Sequence, residues 1–255
     1  MIYYILIVIT IIIIVLIFNN YKNNNIIFLE NNETSEFLIK DIDNYVKNLN
    51  DIDLYARKVK TKEEYIKIIS NNTLNFNENQ KDKLIKCTAI SDEFFLNYEN
   101  YYINGSELVK IKWIFGLVGN NYEEGMPHTR NDIIFISNNI INNEEEILIR
   151  ILIHEKIHIY QRYYNMDEII KKMGYKFSRK KYNIPLIRSN PDLNDNIYKD
   201  HNNEELIALY NSDKPSSIND VKISNFSSEH PYEKMAYEIS MEYNKNLLNK
   251  YKNII

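Results

Sequence analysis

The spacing of hydrophobic residues changes several times along the chain. An unbroken apolar run occupies residues 2–18. From residue 33 to about residue 104, apolar positions recur every three or four residues, which is the period of amphipathic helices. Two short β-branched and aromatic runs follow, and then Ile147 to Gln161, which is apolar nearly all round, as in a helix buried inside a protein. This pattern predicts an α+β protein.

The first apolar run has the properties of a membrane-spanning helix. Residues 2–18 (IYYILIVITIIIIVLIF) contain no charge and one polar residue, Thr10. At about 1.5 Å per residue, the run is just long enough to cross a hydrocarbon core of about 30 Å. Tyrosines at both ends suit the membrane interface. The sequence therefore predicts a single N-terminal membrane anchor within residues 1–20, followed by a polar spacer over residues 21–32.

A cleaved signal peptide is the alternative for this run. Such a peptide usually has basic residues before the apolar stretch and a small-residue cleavage site after it. No Lys or Arg precedes residues 2–18, and no Ala-x-Ala follows. An uncleaved anchor is therefore favoured over a soluble secreted protein. Lys22 is the one positive charge nearby, so the side of the membrane is not predicted.

The rest of the chain, residues 33–255, is predicted to form one domain in two parts. Residues 33–104 are expected to form a layer of helices, and residues 105–255 a small sheet with the helices that carry the site. The layer's helices are predicted over Phe37 to Val46, Leu54 to Val59, Lys62 to Ile69 and from about Asn77 onward. The strands are predicted over Leu108 to Val118 and Asp132 to Ser137.

Composition excludes several classes of function. A net charge of −4 gives no case for nucleic-acid binding. Cys87 is the one cysteine, which rules out an intrachain disulfide and a cysteine-based zinc site. The hydrophobic fraction of 44% is ample for a core, and the 21 Tyr and 10 Phe argue against a disordered chain.

The predicted buried helix carries the sequence His-Glu-Lys-Ile-His over residues 154–158. Residues four apart lie on one face of a helix, so His154 and His158 can converge on one metal ion. Glu155 lies beside that ion and can accept a proton from a water molecule. The alternative is two buried histidines that hydrogen-bond to backbone or tyrosines, because polar groups in such a helix need partners.

Strands followed by a long buried helix with this H-E-x-x-H motif resemble the zincin superfamily of metallopeptidases. The resemblance implies a zincin-like α+β domain and Zn²⁺ held by His154 and His158. The longer motif of metzincins, with a third His close behind, is absent because Gln161 and Tyr164 occupy its last two defining positions.

In zincins, the strand before the active-site helix is typically an edge strand that binds substrate backbone. By resemblance, Asp132 to Ser137 would be that edge, and His128 would lie at the rim of the cleft. The alternative for His128 is a loop histidine with no role in the site.

A third zinc ligand is expected further along the chain, because catalytic zinc usually has three protein ligands. The segment Glu233 to Ala236 resembles the third-ligand segment of gluzincins, in which a later helix supplies a Glu. This resemblance implies Glu233 as the ligand, with Glu238 as the alternative. The Asp that usually follows that Glu by four residues is Tyr237 here.

The sequence therefore predicts a membrane-anchored zinc metallopeptidase that hydrolyses peptide or protein substrates, with Glu155 as the catalytic base. The alternative is a non-catalytic membrane or envelope protein that retains a zincin fold for structure or binding. A group that stabilises the oxyanion or binds substrate is also expected. The candidates are His128, Tyr237, His230, His201 and Arg188.

Overall fold

The computed structural model describes residues 25–100, 102–223 and 229–252. The apolar run of residues 2–18, and with it the predicted anchor, lies outside these ranges. None of the helices within them is both long and apolar enough to cross a membrane. The described chain is α+β, as predicted, with nine α-helices and four small sheets.

The helices include the predicted layer and the long buried helix. They span Asn31–Lys40 (α1), Asp51–Ala56 (α2), Lys62–Ser70 (α3), Glu78–Leu96 (α4), Gly105–Leu108 (α5), Asn138–Ile141 (α6), Glu145–Tyr163 (α7), Asp167–Lys172 (α8) and Pro231–Lys252 (α9). Helices α2, α3 and α4 confirm the predicted ones to within a few residues, and α7 confirms the buried helix.

The strands are short and occur in both halves of the described chain. They span Ile26–Phe28 (β1), Thr73–Leu74 (β2), Glu99–Asn100 (β3), Ile103–Asn104 (β4), Trp113–Val118 (β5), His128–Arg130 (β6), Ile133–Ser137 (β7), Lys176–Lys180 (β8), Asn196–Lys199 (β9), Glu205–Leu206 (β10), Ala208–Tyr210 (β11) and Val221–Ile223 (β12).

The main sheet has the order β1-β5-β7-β6. Strands β1, β5 and β7 are parallel, β6 runs antiparallel to β7, and β2 pairs antiparallel with the end of β5. The smaller sheets are β10-β9-β8, β11-β12 and β3-β4. All five residues of β7 are buried, as expected of an interior strand covered on both faces.

This sheet corrects the expected edge strand. The segment Asp132 to Ser137 was expected at the edge, but β7 lies between β5 and β6. The edge is β6, His128–Arg130, so His128 belongs to a strand and not to a loop. The continuous apolar run of β7 (IIFIS) explains the difference, because burial on both faces needs a neighbouring strand on each side.

Local conformation corrects three other boundaries. Helix α1 ends at Lys40, short of the predicted Val46, because Asp41 adopts a left-handed conformation with φ 43° and ψ 47°. Residues 105–108 form helix α5, so the strand predicted from Leu108 begins at Trp113. Residues 26–28, predicted as part of the spacer, form β1, a run too short to be recognised by its periodicity.

Helix α7 is buried between the sheet and helices α4 and α9. Contacts on the side opposite the histidines fix the rotation of α7 about its own axis. The buried Lys156 donates to the carbonyl of Lys112 over 3.0 Å and lies 4.2 Å from the centre of the Trp113 ring. At about 100° per residue, Lys156 is about 200° round the helix from both His154 and His158. The two imidazoles therefore face away from the Trp113 side.

Candidate metal centre

Helix α7 brings two imidazole nitrogens together. Nε2 of His154 lies 3.0 Å from Nε2 of His158, and the two rings meet edge to face with centroids 4.7 Å apart. This is the geometry expected of residues four apart on one helical face. His158 is fully buried, whereas the side chain of His154 is 23% exposed. The pair therefore faces a space that can be reached from outside.

Helix α9 adds a carboxylate to this pair. Oε2 of Glu233 lies 3.3 Å from Nε2 of His154 and 3.7 Å from Nε2 of His158. Pro231 is the first residue of α9, which puts Glu233 in its first turn. Ala236, one turn later, is fully buried against the core, and its small side chain permits a close helix approach. Residues more than seventy positions apart thus present three ligand atoms to one point.

Glu238 occupies a different face of α9. Its Oε1 lies 3.9 Å from Nζ of Lys234, four residues earlier, and its side chain is 44% exposed. At about 100° per residue, Glu238 is about 140° round the helix from Glu233. The structure therefore brings Glu233 to the imidazoles and directs Glu238 towards a surface lysine.

The charges around these atoms favour a bound cation. Burial alone would lower the pKa of His158, but Glu233 and Asp192 outweigh it and raise the pKa to about 9. Burial alone would raise the pKa of Glu233, but His158 and His154 hold it well below its ordinary range. Two nitrogens and one carboxylate oxygen are also a donor set that suits zinc. The residues present therefore fit a zinc ion.

The buried His158 ring is oriented by Gln161, one turn later on α7. Nδ1 of His158 lies 2.9 Å from Oε1 of Gln161, so Nδ1 is the donor in this pair, and Nε2 is the nitrogen that would give up its proton to bind a metal. The Gln161 amide donates in turn to the carbonyl of Tyr232 over 3.1 Å. In the sequence, the one indication of this contact is that Gln161 follows His158 by three residues and so lies on the same helical face.

Glu233 is oriented by a residue that sequence analysis missed. The amide of Asn190 donates to Oε1 of Glu233 over 3.0 Å and to Oε1 of Glu229 over 2.6 Å. Glu229 also pairs with Arg188. Asn190 lies in an Asn-Pro-Asp sequence whose local signal predicts a turn, and nothing in that signal indicates contact with a helix that begins forty residues later.

Glu155 lies beside the three ligand atoms. Together with His154 and Glu233, it lines a cleft whose volume is about 450 Å³. The residue is 3% exposed, and its Oε2 atom has no hydrogen-bond partner among the residues that the structure describes. Burial, reinforced by the negative charge of Asp192, raises the pKa of Glu155 well above its ordinary range. A buried carboxyl oxygen without a partner is unusual and is available to a molecule that enters the cleft.

Three of the five candidate helper residues line this cleft: His128, Arg188 and Tyr237. His128 is 2% exposed; its Nδ1 donates to the carbonyl of Met126 over 3.0 Å, and its Nε2 has no partner in the described part of the chain. Burial lowers the pKa of His128, so its ring is neutral and Nε2 is an acceptor. Tyr237 is 54% exposed, and its hydroxyl is a potential donor.

The other two candidates lie outside the cleft lining. His230 is buried between Tyr198 and Tyr232; its Nδ1 accepts from the Tyr232 amide and its Nε2 lies 3.3 Å from Oδ1 of Asn194. Burial lowers its pKa to about 3. These contacts give His230 a structural role at the start of α9. His201 lies on an exposed turn between β9 and β10.

The backbone of edge strand β6 is partly occupied by side chains. The Thr129 amide donates to Oδ1 of Asp192 over 2.6 Å, and the Thr129 carbonyl accepts from Nη2 of Arg162 over 3.0 Å. Pro127, two residues earlier, has no N–H to donate. Substrate binding by strand addition was expected at Asp132 to Ser137, which is an interior strand. At β6, the observed edge, both backbone groups of Thr129 already have a side-chain partner.

Comparison of the chain with protein-family models, with curated proteins and with solved structures finds no match. Its function is therefore argued from the geometry and chemistry of the site.

Proposed function

We propose that the chain is a membrane-anchored, zinc-dependent metallopeptidase of zincin type. The observation that carries the proposal is the convergence of His154, His158 and Glu233 beside the buried Glu155, whose Oε2 has no partner within residues 25–100, 102–223 and 229–252. The two imidazoles and the Glu233 carboxylate would hold Zn²⁺. When bound, zinc supplies a Lewis acid that activates water and polarises the scissile carbonyl.

The role proposed for Glu155 is proton transfer. Its carboxylate accepts a proton from the attacking water and delivers it to the leaving amine nitrogen. Its position supports this role, because it follows His154 directly on α7 and lines the cleft. A metal held only for structure needs no free carboxyl beside it, which favours an enzyme over a non-catalytic scaffold.

The residues that face the substrate differ in what they can offer. Tyr237 lines the cleft, and its hydroxyl is a donor suited to a developing oxyanion. His128 is neutral with an unpartnered Nε2, which suits acceptance of a substrate N–H better than donation to an oxyanion. Arg188 is already paired with Glu229, so its charge is partly neutralised. We therefore assign oxyanion stabilisation to Tyr237.

The decisive experiment compares zinc content and peptide hydrolysis in the wild-type chain and in Glu155→Gln. We expect about one zinc per chain in both proteins, because the substitution removes no ligand. Hydrolysis of a peptide library should fall about 10²- to 10⁴-fold in Glu155→Gln, since the substitution removes the base. His154→Ala serves as the control that loses zinc. A wild-type protein that binds zinc but cleaves no peptide would support the scaffold alternative.

A further inference from the structure

A second feature of the cleft is a cation one helical turn from the candidate metal centre. Arg150 precedes His154 by four residues on α7, so both side chains leave the same face, about 6 Å apart along the helix axis. Arg150 is half-buried and lines the same cleft as His154, Glu155 and Glu233. Its guanidinium is therefore within reach of a molecule bound at the candidate centre.

Arg150 has no carboxylate partner among the described residues. Its side-chain contact is Nη1 to Sδ of Met241 on α9, at 3.7 Å, and a thioether is a weak acceptor without charge. The other arginine lining the cleft, Arg188, is paired with Glu229. No carboxylate of the described chain thus offsets the charge of Arg150. In its partly desolvated setting, attraction to an opposite charge is stronger than in water.

Four of the five acidic residues that line the cleft are already engaged elsewhere, and the fifth, Glu155, lies about 140° round α7 from Arg150. Glu123 is paired with the buried Arg57, and Glu229 with Arg188. Asp192 accepts hydrogen bonds from the amide and hydroxyl of Thr129. Glu233 faces the two imidazoles. None of these carboxylates is paired with Arg150, which leaves its guanidinium available to a carboxylate of a bound molecule.

We propose that Arg150 recognises a carboxylate of the substrate, either an acidic side chain or the C-terminal carboxylate of a peptide. This inference rests on the proposed function and specifies its substrate class. Arg150 lies about 6 Å along the helix axis from His154, and an extended peptide advances about 3.3 Å per residue, so we expect the recognised group within about two residues of the scissile bond. Arginine is suited to the task because its planar fork binds a carboxylate through two parallel hydrogen bonds.

The test measures binding rather than cleavage, so that it is independent of catalysis. The full chain carrying Glu155→Gln, loaded with zinc, is titrated with labelled peptides by fluorescence anisotropy. The peptides carry Glu or Gln at each position in turn and end in an amide. A third set carries Gln throughout and ends in a free carboxylate. We expect Glu at one position, or the free C-terminus, to lower Kd by about 10-fold, a typical effect for a charge-assisted bidentate pair.

Variants of Arg150 test whether this residue causes the preference for a carboxylate. Arg150→Met should abolish the preference, Arg150→Lys should keep a weaker one, and Arg150→Glu should favour Lys over Gln at the same position. Arg179→Met, which removes an exposed arginine paired with Glu205 outside the cleft, is the matched control and should leave the preference intact. Equal affinity for acidic and neutral peptides in protein that retains Arg150 would overturn the inference. If the wild-type chain cleaves no peptide, the proposed function is overturned instead.

Discussion

The amide of Asn190 donates to Oε1 of Glu233 over 3.0 Å, while Oε2 of the same carboxylate faces both imidazoles. One oxygen is thus held by a loop residue, which leaves the other directed at the candidate metal centre. We predict that Asn190→Ala weakens zinc binding about 10- to 100-fold, as is typical when a group that orients a metal ligand is removed. The measurement is zinc Kd by competition with a chromophoric chelator.

The control for this prediction is Asn196→Ala, which removes a partly buried amide that contacts the hydroxyl of Tyr198 and not the candidate centre. Its zinc affinity should equal that of the wild type. If Asn190→Ala binds zinc as tightly as Asn196→Ala does, the hydrogen bond does not orient Glu233.

Two glutamates on α9 provide a matched test of the third ligand. Glu233→Ala removes a carboxylate within 3.7 Å of both imidazole nitrogens, whereas Glu238→Ala removes one that lies 3.9 Å from Lys234. We predict that Glu233→Ala weakens zinc binding by a larger factor than Asn190→Ala does, for which the expected factor is about 10- to 100-fold. Glu238→Ala should leave zinc Kd within experimental error. The reverse order would assign the ligand to Glu238.

The buried ion pair between Glu123 and Arg57 should make folding sensitive to acid. Burial alone would raise the pKa of Glu123, but Arg57 outweighs it, and the pKa falls from 4.5 to about 2. Because the folded-state pKa is lowered, the stabilisation is present above pH 4.5 and is lost as the pH falls towards 2. The linked free energy is on the order of 3 kcal/mol.

Urea unfolding of the metal-free protein at pH 6 and pH 3 measures this effect. Glu123→Gln should be less stable at both values, because it removes the carboxylate 2.6 Å from Arg57 and leaves Asp53, 3.6 Å away, to offset this buried charge. It should nevertheless lose less free energy of unfolding between them than the wild type loses. Equal losses in the two proteins would show that Glu123 does not carry this part of the acid sensitivity.

The N-terminal boundary gives a prediction about membrane attachment. The full chain should remain with membranes after a carbonate wash, and residues 21–255 should be soluble and folded. Residues 33–255 should fold poorly, because this truncation removes β1, which pairs with β5. Circular dichroism of the two truncated chains checks folding. If residues 21–255 still sediment with membranes, a single anchor within residues 1–20 is not the attachment.

The sequence by itself determined the features that depend on neighbours within one or two helical turns. The period of Ile147 to Gln161 predicts α7, and a spacing of four puts His154 and His158 on one face of it. The short helices α2 and α3 were likewise predictable to within a few residues, whereas α1 lies six residues earlier than predicted. These features follow from the fixed rise and rotation of a helix, which need no knowledge of the rest of the chain.

Tertiary structure alone decided which distant groups meet these histidines. Glu233 reaches them because α9 packs against α7, and Asn190 reaches Glu233 because its loop lies beside both. The edge position of β6 likewise depends on which strand pairs with β7. None of these contacts has a local signal, because packing between elements is set by the shape and burial of whole surfaces and not by spacing along the chain.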